Sequence, residues 1–120
     1  MASTIEEVKA KLAEISPRLV ELFESALRKK PSELTPEEKR VLVLAKLLIN
    51  PLAIGVDIAR ESHRGVRSVE SWLLGASGRG DIPGVDTPDM REFLKQLKKL
   101  LRQKKYREIE KLILGETVAT

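Results

Sequence analysis

Between capping signals, apolar residues of this 120-residue chain recur every three or four positions, the period of an α-helix. Ser3 and Thr4 each stand three residues before a glutamate, Glu6 and Glu7, which is capping-box spacing and predicts a helix from there to about Ile15. Ser16-Pro17 restarts the pattern, the serine as a cap and the proline at the first helical position. Leu19, Val20, Leu22, Phe23 and Leu27 then give a broad apolar face before Lys29-Lys30-Pro31 stops it. This stretch is a second helix or a kinked continuation of the first. Thr35-Pro36-Glu37-Glu38 combines cap, proline and capping glutamate and opens a helix that runs to Asn50. From Val41 to Ile49 it is apolar almost all round, with Lys46 expected to point outward, the pattern of a bundle's central helix.

Asn50-Pro51 breaks that helix, and Ile54 to Gly75 reads as two short helices joined by a tight turn. In the first, Ile54, Gly55, Ile58, Ala59 and Ser62 share a stripe whose small middle lets another helix approach closely. His63-Arg64-Gly65 makes the turn. In the second, Val66, Val69, Trp72 and Leu73 face inward, which leaves Arg64, Arg67, Ser68, Ser71 and Leu74 outside. A glycine-rich loop follows over residues 76–86. Thr87-Pro88-Asp89 opens the last helical region, where Met90, Phe93, Leu94, Leu97, Leu100 and Leu101 form a buried face. The pattern breaks at Arg102-Gln103-Lys104-Lys105 and resumes with Tyr106, Ile109, Leu112 and Ile113. Two helices, or one with a bend, are expected there, with Gly115 as the C-cap.

Ile58-Ala59, Val69 ten positions later, and the closing Trp72-Leu73-Leu74-Gly75 resemble the helix-turn-helix regulators of the phage-repressor type, over about residues 38–101. The spacing has a physical reason. The alanine is small because two helices cross there, the valine fills the crossing, and the second helix is then held firmly enough to enter a major groove. The chain departs from the family at the turn, with His63 where glycine is usual and Arg64 where an apolar residue is usual. The resemblance implies double-stranded DNA as partner, base contacts from Arg64, Arg67, Ser68 and Ser71, and a homodimer, since one recognition helix touches only a few base pairs. A helical pair with no DNA to read has the same outline.

Composition narrows the remaining choices. One domain is expected from the length, and the fold class is all-α: a compact bundle of about six helices around a central helix-turn-helix. Residues 1–34 supply N-terminal helices, 35–75 the helix-turn-helix core, and 87–115 basic C-terminal helices. Aromatic residues make up only 3% of the chain, so the core is mostly Leu, Ile, Val and Ala, and stacking platforms for single strands are scarce. The absence of cysteine removes disulfides, thiol nucleophiles and cysteine-bound zinc; with no signal-peptide pattern, a cytoplasmic protein is expected. The longest apolar run, Val41 to Ile54, is interrupted by Lys46, Asn50 and Pro51 and is too short for a bilayer. One Asn, two Gln and 33% charged residues suit a protein from a hot environment or an idealised design; the irregular loop favours the former.

The net charge of +4 is unevenly placed. Residues 87–120 carry nine lysines and arginines against five acids, whereas the rest of the chain is balanced. Lys98, Lys99, Arg102, Lys104, Lys105 and Arg107 form a cluster suited to phosphates, and His63 in the turn and Arg79 in the loop are further candidate phosphate contacts. A solvated helix face is the plain alternative for the cluster. The single histidine has no carboxylate pair, metal-ligand spacing or nucleophile beside it, so neither an enzyme, a cofactor, a metal nor a small-molecule substrate is expected. The rival readings are a helical protein–protein assembly module and a nucleic-acid-binding accessory module of a replication enzyme.

Overall fold

The computed structural model describes residues 4–30, 33–49 and 88–115. They form five helices, α1 (Thr4–Ile15), α2 (Pro17–Leu27), α3 (Pro36–Ile49), α4 (Pro88–Arg102) and α5 (Tyr106–Leu114), with no strand among the described residues. The all-α class is therefore as expected. The helix pair expected over residues 54–75 and the loop over 76–86 lie outside the described residues.

The first two helices are separate, because Ser16 between them is fully extended, with φ −168° and ψ 135°. Its hydroxyl accepts the Arg18 N–H at 3.2 Å while Pro17 holds the first helical position, so one donor of the new helix is satisfied and another is absent. Ser16 is itself buried. Its hydroxyl also donates to the Glu110 carboxylate of α5, and Arg18 reaches the same carboxylate at 3.9 Å. A carboxylate beside the start of α2 is favourable for the helix dipole as well.

α3 opens with a complete capping box. The Glu38 N–H donates to the Thr35 hydroxyl at 3.2 Å, and the Thr35 N–H donates back to the Glu38 carboxylate at 2.8 Å. Glu38 is only 2% exposed, and it also accepts from Ser25 on α2 at 2.8 Å and from Lys29, just past the end of α2, at 2.9 Å. Burial pushes its carboxyl up, but the Thr35 N–H, Lys29, Ser25 and the Thr35 hydroxyl together outweigh that and hold it below the usual carboxylate range. One glutamate thus both starts α3 and fastens it to α2.

Every residue from Val41 to Leu47 is buried, and α1, α2 and α5 all pack on α3. This corrects the expectation for Lys46, which is 5% exposed rather than outward. A helix enclosed on every side has no outward position at its middle, so the one polar residue in the run is covered with the rest. Leu12, Leu19, Phe23, Leu42, Leu44, Leu97, Ile109 and Ile113 are fully buried; α1, α2 and α5 close directly on α3, and α4 joins the core through α5. Each such side chain contributes about 1.5–3 kcal/mol.

The C-terminal region is two helices. α4 buries Phe93, Leu94 and Leu97, leaves Leu100 and Leu101 half-buried, and packs against α5. α5 ends on Gly115, whose φ of 72° is left-handed, with its N–H returned to the Lys111 carbonyl. The expected C-cap is in place.

Candidate nucleic-acid interface

Of the residues expected to touch DNA, the structure describes Lys98, Lys99, Arg102, Lys104 and Lys105. His63, Arg64, Arg67, Ser68, Ser71 and Arg79 lie outside the described residues. The five that are described do come together, on the outer side of α4 and in the turn that joins it to α5.

The side of α4 opposite its buried leucines carries Arg91, Lys95, Lys99 and Arg102, all exposed. Steps of four, four and three residues keep these cations on one stripe, rising about 16 Å at 1.5 Å per residue. Lys98 is half-buried at the edge of the stripe, next to the covered face. Lys104, Lys105 and Arg107 continue the charge past the helix end, all exposed. Lys95 was not among the residues singled out from the sequence. Its signal is the four-residue step to Lys99, which places it on the same face; density of charge along the chain does not mark it.

Among the described residues, no carboxylate oxygen lies within 4.0 Å of Lys95, Lys98, Lys99, Arg102, Lys104, Lys105 or Arg107. Elsewhere the bundle does form such pairs, Lys9 with Glu24 at 3.3 Å, Lys29 with Glu38 at 2.9 Å and Arg40 with Glu37 at 3.6 Å. The nearby Glu110 is engaged by Ser16 and Arg18 on α2. Unneutralised cations on one surface add their fields and attract a polyanion.

The turn between α4 and α5 is a Schellman motif. The Lys104 N–H donates to the Leu101 carbonyl at 3.2 Å, and the Lys105 N–H donates to the Leu100 carbonyl at 3.0 Å, which closes the end of α4. The motif needs a left-handed residue, and that residue is Lys104, with φ 55°. Glycine is the usual occupant because a side chain there costs about 1–2 kcal/mol. No glycine marked this turn in the sequence.

The described part of the molecule offers less for small-molecule chemistry. A depression of about 160 Å³ between α1 and the end of α3 is lined by Glu7, Val8, Lys11, Leu48 and Ile49. It is smaller than the roughly 300 Å³ at which ligand pockets begin. Lys11 there already donates to the Leu48 carbonyl at 3.5 Å. No group of three His, Cys, Asp or Glu side chains placed to hold a metal occurs among the described residues, and no described helix is long and apolar enough to cross a membrane.

Compared with protein-family models, with curated proteins and with solved structures, the chain matches none.

Proposed function

We propose that this chain binds double-stranded DNA, reading bases with the second helix of residues 54–75 and holding phosphates with the cationic surface of α4 and its turn. The observation that carries the proposal is the set of exposed cations Lys99, Arg102, Lys104, Lys105 and Arg107, with no carboxylate partner among the described residues. Sequence preference rests on the resemblance to phage-repressor regulators, in which Arg64, Arg67, Ser68 and Ser71 fall on the outer face, with His63 and Arg79 beside them for phosphates. Control of transcription, replication-origin binding and DNA packaging all suit such an activity. A homodimer and a cytoplasmic location go with this reading.

Fluorescence anisotropy with a selected duplex and a random duplex, across several salt concentrations, tests the division of labour. Arg67→Ala should cost about 1–3 kcal/mol on the selected duplex and little on the random one. Replacing Lys104 and Lys105 together by alanine should weaken both. If no duplex binds the unaltered protein even at low salt, the DNA reading fails and a helical protein–protein assembly module takes its place.

A further inference from the structure

Lys104 occupies a backbone position that favours glycine, and it does so in the middle of the most cationic surface among the described residues. A glycine would complete the same Schellman motif at lower cost, so the fold gives no reason for a lysine there. Lys95, two turns back along α4, is exposed on the stripe that leads through Lys99 and Arg102 to this turn. From these two residues we infer that Lys95, Lys99, Arg102, Lys104 and Lys105 form one continuous track for the sugar–phosphate backbone of duplex DNA. The track grips any sequence, and Lys104 is kept in its strained place for its charge. This rests on the DNA reading above and adds to it that Lys95 belongs to the phosphate-holding surface and that Lys104 stands at a left-handed position for its charge.

The shape of the surface selects this partner over other anions. Lys95 to Arg102 rises about 10 Å along a regular helix. Laid along the duplex axis, that length covers about three phosphate-to-phosphate steps of one strand at 3.4 Å each. A basic amphipathic helix can also lie on an anionic membrane, but only by inserting its apolar face. Here Phe93, Leu94 and Leu97 are committed to the protein core. Single strands need exposed rings for stacking. Beside this track Phe93 is buried and Tyr106 half-buried.

The test compares the full chain with Lys95→Gln, Lys104→Gly and, as a control, Arg28→Gln at the exposed end of α2. Each is titrated against random duplex DNA at several salt concentrations, with poly-glutamate and anionic phospholipid vesicles as competing probes. Each track variant should flatten the plot of log affinity against log salt by about 0.9, the value of one lost phosphate contact, while the control leaves it unchanged. Lys104→Gly should at the same time raise the melting temperature by a few degrees, so that affinity falls as stability rises. A misfolded variant cannot give that combination. Unaltered salt slopes in both track variants, with the unaltered protein still binding duplex, would overturn the track and leave the DNA reading standing. Tighter binding to poly-glutamate or vesicles than to duplex would overturn it in favour of an acidic protein or a membrane. Failure of the unaltered protein to bind any duplex would overturn the DNA reading, and the track with it.

Discussion

Arg40 and Gly115 meet at the carboxyl end of α5, and each limits what the other position can hold. Arg40 Nε donates to the Ile113 carbonyl at 2.6 Å, which places a cation on the negative end of the helix dipole. A Cβ on Gly115 would lie 2.9 Å from Arg40 Nη2, and its φ of 72° already disfavours any side chain. Gly115→Ala should therefore cost about 1–2 kcal/mol from the backbone alone. If the guanidinium gives up Ile113 as it moves from the new Cβ, Gly115→Ala and Arg40→Ala should not be additive. Urea denaturation of both single variants and the double variant would show a coupling of about 0.5 kcal/mol or more; strict additivity would mean the arginine moves aside freely.

Ser16 makes two connections that a single substitution can separate. Aspartate caps a helix as well as serine does, so Ser16→Asp keeps the bond to the Arg18 N–H. It also places a second carboxylate against Glu110, where the serine hydroxyl now donates. Ser16→Asp should be more destabilising than Ser16→Ala, which loses about 1 kcal/mol of capping. Glu110→Gln should rescue the aspartate variant. Equal melting temperatures for Ser16→Asp and the unaltered protein would show that the tie to α5 carries nothing.

The Glu38 network sets an acid limit on stability. Its carboxyl is held below its ordinary value in the folded protein, so its contribution is complete above the unfolded value, about 4.3, and is lost as pH falls through the lower folded value. Glu38→Gln keeps the shape of the side chain but cannot carry the charge that these donors stabilise. The variant should be less stable at pH 7 by about 1–3 kcal/mol. It should also lose less than the unaltered protein does between pH 5 and pH 2. Denaturant midpoints measured across that range would check both statements, and parallel curves would contradict the second.

The helices were legible in the sequence where local chemistry fixes them. Ser16-Pro17, Thr35 to Glu38 and Gly115 act through bonds to residues one to four positions away, so their spacing alone placed the boundaries of α2, α3 and α5. The burial of Lys46 is not legible in the sequence, because it depends on how many neighbours enclose α3, and periodicity along one helix does not contain that number. Glu38's partner Ser25 on α2 and Glu110's partner Ser16 are also beyond local spacing, 13 and 94 residues away in the chain. For the candidate surface, composition located the charge, but the helix face was needed to add Lys95. The turn geometry was needed to set Lys104 apart from its neighbours.

Leu97 is the most deeply buried of the three side chains, with Phe93 and Leu94, that hold the cationic stripe on the bundle. It is fully buried, whereas Leu101, one turn further along the same face, is half-buried. Replacing Leu97 by alanine removes most of its apolar contact and leaves a cavity under α4, which should cost about 2–5 kcal/mol. Leu101→Ala exposes less and should cost clearly less. If α4 were joined to the bundle mainly through its chain connections, the two variants would be equally mild. Hydrogen exchange gives the finer reading: in Leu97→Ala the amides of α4 should lose more protection than those of α2, because α4 loses the deepest of its three buried anchors while α2 keeps Phe23 and Leu19 in the core.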